Sequence, residues 1–199
     1  MTLAGRLRAA LDAGAARGPA PFPGDFDNLV EPGMPHVPAA VLMPITDRPA
    51  PGVLLTLRNA NLRRHAGQVA FPGGRLDPAD AGPVAAALRE AEEEIGLPPA
   101  LVEVAGIADR YRTGTGYDIT PVVGVVPPDL PLLPQESEVA AIFEVPLDYL
   151  LDPAMRVERT AIWQGRERRY FEIMWKERRI WGVTAAMIAN LAHRLLPVA

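Results

Sequence analysis

Several kinds of residue and segment are missing from this sequence. Its 199 residues include no cysteine, which excludes a disulfide scaffold and a zinc site built on thiolates. It has no apolar run of about 18–20 residues, the length that a membrane-spanning helix requires. The formal net charge of -4 provides no basic excess for binding nucleic-acid phosphates. These absences predict a globular cytoplasmic protein without a membrane or nucleic-acid partner.

The N-terminal region predicts a helix followed by an irregular arm. Leu3, Leu7 and Leu11 recur at helical spacing, and Asp12 in the same stretch argues against a cleaved leader sequence. Six of the 22 prolines fall between residues 18 and 38, where they disfavour regular structure. We therefore expect a helix and a proline-rich arm over residues 1–36, and one domain of ordinary size over residues 37–199.

The remaining chain mixes strands and helices without strict alternation. Short apolar runs flanked by turn residues predict strands, and longer segments with an apolar stripe at helical spacing predict helices. The expected strands are 39–45, 52–58, 68–71, 102–111, 119–126 and 139–145, with a hairpin over 158–163 and 169–175, and the expected helices are 80–95 and 181–196. Pro44 indicates that the first of these strands is irregular or lies near a sheet edge. The pattern favours an α/β fold with a mixed sheet.

The helix predicted in the middle of the chain carries a dense acidic cluster. Glu90 and Glu94 lie four residues apart with Glu93 between them, so their carboxylates occupy neighbouring positions and repel each other. They also lie near the helix C-terminus, where the helix dipole disfavours anions. Such a cluster is most often a solvated surface, but clustered carboxylates are also hard ligands suited to Mg²⁺. Gly73 and Gly74, which precede the helix, would let the backbone approach a ligand closely.

The segment from Gly73 to Leu97 resembles the Nudix box. The usual form of that motif is Gly, five residues, Glu, seven residues, Arg-Glu, an apolar residue, any residue, Glu-Glu, any residue, Gly and an apolar residue. Residues 89–97, REAEEEIGL, match its second half at every fixed position. The first half departs from it, because Asp80 stands where Glu is usual and eight residues separate it from Arg89. The position of the first-half carboxylate is therefore open between Asp80 and Asp77.

The preceding segment makes the resemblance more specific. Residues 54–74, LLTLRNANLRRHAGQVAFPGG, are similar to the signature of the coenzyme A pyrophosphatase branch of Nudix hydrolases. The similarity continues in residues 113–124, 138–147 and 181–185. The resemblance implies an α/β/α sandwich around a mixed β-sheet. It also implies hydrolysis of coenzyme A, or of its derivatives, to 3′,5′-ADP and 4′-phosphopantetheine or acyl-phosphopantetheine.

The same resemblance implies a metal site on the acidic helix. Glu90 and Glu94 would be the main ligands of Mg²⁺ or Mn²⁺, and Glu93 would lie beside them as a further ligand. A backbone carbonyl of Gly73 or Gly74 would complete the coordination. The cations would neutralise phosphate charge and acidify the attacking water.

Catalytic roles other than metal binding fall on Arg89 and on one of three glutamates. The resemblance implies that Arg89 orients a box carboxylate through an ion pair. The general base that takes a proton from water can be Glu93 of the box, or Glu138 or Glu136 on a later loop. A general base must reach the water, and the sequence cannot show that reach. The choice among the three glutamates therefore stays open here.

A basic segment in front of the box is a candidate for substrate binding. Arg63, Arg64 and His65, with Arg58 just before them, would bind the substrate's phosphates, including the 3′-phosphate of coenzyme A. An arginine fork suits phosphate, which favours this interpretation. The alternative is a surface loop in which His65 has only a structural role.

Two other functions remain open at this point. The first is the same chemistry on another nucleoside diphosphate derivative, such as ADP-ribose or a dinucleotide. The second is a Nudix module that senses a nucleotide without cutting it, although the retention of Glu90, Glu93 and Glu94 favours an enzyme. In each case the expected partner is a small molecule, and the sequence leaves open whether the chain forms a homodimer.

Overall fold

The computed structural model describes residues 1–22, 24–25, 36–62, 64–163 and 165–195. The helices are α1 (Leu3–Ala15), α2 (Pro83–Ile95), α3 (Leu147–Leu151) and α4 (Val183–Leu195). The strands are β1 (Val37–Thr46), β2 (Gly52–Arg58), β3 (Val69–Ala70), β4 (Gly73–Arg75), β5 (Glu103–Ile107), β6 (Tyr111–Arg112), β7 (Tyr117–Val126), β8 (Val139–Pro146), β9 (Arg156–Trp163), β10 (Arg166–Trp175) and β11 (Arg178–Trp181). Much of the predicted proline-rich arm lies outside the described residues. In the described ranges, no helix has both the length and the apolar character needed to cross a membrane.

The main sheet is mixed, as the sequence predicts. Within the described ranges it has eight strands, with the path β3-β2-β1-β7-β5, while β4 lies beside β1, β6 beside β7 and β8 beside β2. The central pair β1 and β7 is parallel, and the other pairings are antiparallel. A second sheet with the order β11-β10-β9 contains the predicted hairpin. The sheet therefore has a fully buried centre with helices available on both faces.

Alternating side chains of β1 show that helices cover both faces of the main sheet. Ala40 and Leu42 pack into a core with the buried face of α2. Val41, Met43 and Ile45 point the other way, into a core shared with α1, α3 and α4. Since successive residues of a strand face opposite sides, one strand contributes to both layers. The arrangement is the expected α/β/α sandwich.

Of the two alternatives that Pro44 suggested from the sequence, the structure confirms the irregular pairing and contradicts the sheet edge. β1 is central in the sheet rather than an edge strand, and it pairs with β7 along its whole length. On its other side β1 pairs with β4 up to Val41 and with β2 from Ile45. Pro44 falls in the gap between those two pairings, so the ladder does not need the N–H that proline lacks.

Three predicted boundaries are also wrong, each for a local reason. The acidic helix begins at Pro83 rather than at Asp80, because residues 77–80 form a turn in which the Asp80 N–H bonds to the Asp77 carbonyl. The strand expected over 102–111 is interrupted, so β5 and β6 are separate. The last helix begins at Val183, since residues before it form β11. In each case tertiary pairing or turn geometry overrides a continuous apolar pattern.

The N-terminal helix is confirmed and belongs to the larger core. Leu3, Leu7 and Leu11 are buried together with residues of α4. Gly14 lies so close to the backbone of Arg194 that a Cβ atom at this position would clash with it. α1 therefore stabilises the sandwich directly, while a domain boundary at residue 36 stays a prediction.

Candidate functional site

The acidic face of α2 meets the short strand β4 at its two glycines. The Gly73 N–H donates a hydrogen bond to Glu94 Oε2 at 3.2 Å. Gly74 lies directly beneath Glu90, and a Cβ atom at this position would overlap the Glu90 carboxylate. The glycine pair therefore allows the backbone to approach the Glu90 and Glu94 carboxylates closely.

The strand register distinguishes the two glycine carbonyls. The Leu42 N–H bonds to the Pro72 carbonyl and the Leu76 N–H bonds to the Pro38 carbonyl. Hydrogen-bonded positions alternate along an antiparallel ladder, so Gly74, midway between Pro72 and Leu76, directs its polar groups at β1. Gly73 directs its polar groups away from β1, on the side where its N–H meets Glu94. The carbonyl of Gly73 is therefore the one available to a ligand beside Glu94.

Glu94 is a buried carboxylate with an unusually high pKa. The residue is only 4% exposed, and this burial is the main cause that raises its pKa to about 7. The Gly73 N–H and the Arg58 guanidinium oppose the rise, whereas the nearby charges of Glu90 and Glu138 add to it. Near neutral pH this group is therefore partly protonated, and further positive charge beside it would favour the ionised form.

Arg58, at the end of β2, is the cation closest to Glu94. Its Nη1 lies 3.6 Å from Glu94 Oε1. Its Nε is buried without a hydrogen-bond partner in the described part of the chain. The sequence groups Arg58 with the substrate-binding candidates Arg63, Arg64 and His65. In the structure its guanidinium lies beside Glu94, the candidate metal ligand. Arg58 thus has hydrogen-bonding capacity left for a further anion at the site.

Arg89 organises the carboxylates on the outer side of α2. Its Nε and Nη2 bind the two oxygens of Asp80 at 3.1 Å and 3.0 Å. Its Nη1 reaches Glu90 at 3.1 Å and Glu93 at 3.0 Å. Asp77 is 3.9 Å away, and its backbone N–H bonds to Asp80. The bidentate geometry makes Asp80, rather than Asp77, the carboxylate that holds Arg89.

Glu93 and Glu138 lie in different surroundings. Glu93 is 59% exposed and its carboxylate is engaged by Arg89. Glu138, at the start of β8, is exposed, and its charge contributes to the raised pKa of both Glu90 and Glu94. The structure therefore brings Glu138 into electrostatic range of the half-buried Glu90 and the buried Glu94.

The basic loop between β2 and β3 closes on Arg58. The Arg58 N–H bonds to the Gln68 carbonyl, and the Arg58 carbonyl accepts from Gly67. Arg64 and His65 are both exposed on this loop, and His65 Nδ1 lies 3.0 Å from Gln68 Oε1. Arg63 lies outside the described residues. The loop thus presents its polar side chains to solvent beside the carboxylate pair.

Sequence reasoning missed two groups that shape this site. Asn59 donates from Nδ2 to the Glu136 carbonyl at 2.6 Å, and its N–H bonds to the Glu138 carbonyl. It therefore fastens the loop bearing both candidate bases to the end of β2. The Gly73 N–H is the other, because the sequence suggested only a carbonyl role. Asn59 could have been singled out from the sequence, because it directly follows a predicted strand and lies within residues 54–74, the segment similar to the coenzyme A pyrophosphatase signature.

The arrangement fits a divalent cation that also binds substrate. In the described ranges, no three His, Cys, Asp or Glu side chains are grouped as a complete metal site. Glu90, Glu94 and the Gly73 carbonyl instead provide an incomplete set of oxygen donors. Mg²⁺ commonly binds through one or two carboxylates and takes its remaining ligands from water and substrate phosphates. The buried, high-pKa Glu94 supports this fit because a cation would stabilise its charged form.

Comparison with known proteins points to one family. Residues 35–164 match the family model of the NUDIX domain. The protein named "Uncharacterized Nudix hydrolase NudL" from Escherichia coli strain K12 is 49% identical over 168 residues, covering 80% of this chain and 83% of that protein. The protein of the same name from Shigella boydii serotype 18 matches with the same values. A crystal structure of a Nudix hydrolase from M. smegmatis, RenU, is 30% identical with a TM-score of 0.47, covering 57% of this chain and 71% of that chain.

Proposed function

The chain belongs to the Nudix hydrolase family, and from this premise we propose that it hydrolyses the pyrophosphate bond of coenzyme A or its derivatives. The products would be 3′,5′-ADP and 4′-phosphopantetheine, or its acylated form. The observation that carries this proposal is the arrangement of residues 54–74. This segment begins in β2, ends in β4, and contributes both Arg58 and Gly73 to the environment of Glu94.

The proposed cation is Mg²⁺ or Mn²⁺, held by Glu90, Glu94 and the carbonyl of Gly73. When bound, it would polarise the phosphoryl oxygen and lower the pKa of the attacking water. Glu93 is a weaker candidate ligand, because Arg89 already engages its exposed carboxylate.

We assign the remaining chemistry to groups at the edge of the carboxylate pair. Glu138 is the proposed general base, since its exposed carboxylate lies near Glu90 and Glu94 and its backbone is fastened by Asn59. Arg89 keeps Glu90 in place. Arg58 would bind a substrate phosphate with the hydrogen-bonding capacity that Glu94 leaves unused.

The loop between β2 and β3 completes the proposed substrate contacts. Arg64 and His65 are exposed there, and with Arg63 they would bind the 3′-phosphate through charge-assisted hydrogen bonds. This distinguishes coenzyme A from ADP-ribose, which has no 3′-phosphate on its adenosine ribose.

The test is a comparison of substrates. Purified protein is incubated with coenzyme A, ADP-ribose or a dinucleotide, with Mg²⁺, with Mn²⁺ or with a chelator, and the products are identified by mass. We expect coenzyme A to be cut fastest, only with a cation. Glu94→Gln should lower kcat by roughly a hundredfold or more while the protein remains folded.

Two outcomes would contradict the proposal separately. A faster reaction with ADP-ribose or a dinucleotide would overturn the assignment of coenzyme A as substrate, while the proposed pyrophosphate hydrolysis would still hold. Binding of nucleotide without turnover on any substrate would instead identify a sensing module. The matched control is Glu92→Gln, which changes an exposed glutamate on the same helix and should leave kcat unchanged.

A further inference from the structure

A crevice lies beside the catalytic helix, on the same face of the sheet. Its volume is about 260 Å³, and it is lined by apolar and polar side chains from β1, β2, β8 and the loop that follows β7. The lining comprises Thr46, Leu54, Pro127, Asp129, Leu130, Leu132, Ile142, Phe143 and Glu144. Pockets that hold a whole ligand usually measure about 300–1,000 Å³, so this crevice is suited to part of one.

One wall of the crevice is attached to the helix that carries the carboxylate pair. The loop that forms one wall is bound to the last turn of α2, because the Leu133 N–H bonds to the Ile95 carbonyl and the Gln135 N–H bonds to the Glu94 carbonyl. On the other wall, Leu54 packs on the α2 side of β2, and Arg58 lies four residues further along the same strand. Four residues of strand span about 13 Å.

The polar end of the crevice disfavours an anion. The Arg48 guanidinium is shared by two carboxylates, with Nη2 at 3.0 Å from Asp129 and 3.2 Å from Glu144. The Thr46 hydroxyl also donates to Glu144 at 2.6 Å. One cation against two anions leaves negative charge there, which would repel a phosphate. The same oxygens can accept hydrogen bonds from the amide or hydroxyl groups of a neutral chain.

We infer that this crevice binds the pantetheine arm of the substrate, with any acyl group, while the pyrophosphate lies at Glu90 and Glu94. The inference rests on the proposed function. The arm is a neutral chain with two amides and contains about as many chain atoms as four residues, so it extends to about 14 Å. That reach matches the distance from Arg58 to Leu54.

The experiment fills the crevice by substitution. Leu132 lines the wall and is partly buried, whereas the neighbouring Leu133 is 75% exposed and does not line it. Leu132→Trp should raise KM for coenzyme A at least roughly tenfold with little change in kcat, because it removes binding that is equal in ground and transition states. The inhibition constant of 3′,5′-ADP should be the same for Leu132→Trp and wild type, because this product lacks the pantetheine arm. Leu133→Trp is the matched control and should alter neither quantity.

The outcomes separate this inference from the proposed function. If wild-type protein cuts coenzyme A and Leu132→Trp leaves KM unchanged, the crevice assignment is wrong and the function stands. If wild-type protein does not cut coenzyme A, the function fails, and the crevice is tested by titrating 4′-phosphopantetheine. Binding that is lost in Leu132→Trp and retained in Leu133→Trp would support the crevice, and absence of binding would overturn it. Ile142→Phe, which fills the crevice from β8, serves if Leu132→Trp does not fold.

Discussion

At the scale of single residues, Glu94 is the carboxylate at which the proposed metal binding would oppose the stability of the fold. Its carboxylate is removed from water next to Glu90, and this raises its pKa to about 7. Placing a charged group there destabilises the metal-free fold. The same placement creates a strong oxygen donor for a cation. The site therefore resembles other functional sites in which charge is held at a cost to folding.

The first prediction concerns the pH dependence of stability. The pKa of Glu94 is about 7 in the folded chain, against 4.5 in the unfolded chain. This difference stabilises the fold fully below pH 4.5, and the contribution is lost as the pH rises through about 7. Without metal, Glu94→Gln should therefore match wild type at low pH and exceed its free energy of unfolding above pH 7, by up to about 3 kcal/mol. Urea unfolding in a chelator measures this, with Glu92→Gln as the control. If Glu94→Gln were less stable than wild type above pH 7, the charge of Glu94 would not be destabilising the metal-free fold.

The second prediction separates the two aspartates before the helix. Asp80→Asn should lower kcat by roughly tenfold or more, because Arg89 loses a bidentate charged partner and Glu90 loses its fixed orientation. Asp77→Asn is the matched control, since this carboxylate lies 3.9 Å from Arg89 and is 63% exposed. Steady-state kinetics on both variants provide the measurement. Equal loss in the two would contradict the assignment to Asp80.

At the scale of elements, the three-residue strand β4 connects the sheet to α2, the helix that carries the carboxylates. It pairs with β1 through Gly73, Gly74 and Arg75. The Gly73 N–H holds Glu94, and the Arg75 carbonyl accepts a hydrogen bond from Arg89 at 3.1 Å. Because β1 is rigidly paired in the sheet centre, this strand fixes the helix relative to the sheet. A site built on a rigid strand and helix keeps its donors in position before substrate arrives.

The third prediction tests this close contact. Gly74→Ala should lower kcat by roughly a hundredfold, because its Cβ displaces the Glu90 carboxylate and small misplacements of that kind are costly. The unfolding temperature should change little, since a side chain rather than backbone must move. Gly5→Ala, in α1, is the control and should leave kcat unchanged. Retention of full activity by Gly74→Ala would show that Glu90 tolerates the shift.

At the scale of the whole molecule, the two helical layers have different roles. The α2 layer carries the carboxylates, and the opposite layer of α1 and α4 stabilises the fold. That layer contains a buried ion pair in which Arg194 binds both oxygens of Asp109 at 2.7 Å and 2.6 Å. Arg194 also donates to the Gly14 carbonyl near the end of α1. The sheet separates this network from the site.

The fourth prediction uses that separation. Asp109→Asn should lower the free energy of unfolding by about 3 kcal/mol, because it leaves the buried Arg194 charge without its partner. The kcat of the folded fraction should stay unchanged, since the ion pair lies across the sheet from Glu90. Asp12→Asn, on the exposed side of α1, is the control and should change stability by less than about 0.5 kcal/mol. If Asp109→Asn lowered kcat without lowering the free energy of unfolding, the two helical layers would be coupled.

The features that the sequence alone determined are those that depend on neighbours along the chain. The spacing of Glu90 and Glu94, the glycine pair before the helix and the alternating faces of the strands follow from local periodicity, which is readable without a fold. The tertiary structure decided which distant groups meet. It selected Asp80 over Asp77, brought Arg58 to Glu94, and placed Pro44 in a central strand where the ladder has a gap. It also set the pKa of Glu94, because desolvation depends on burial by residues far away in sequence.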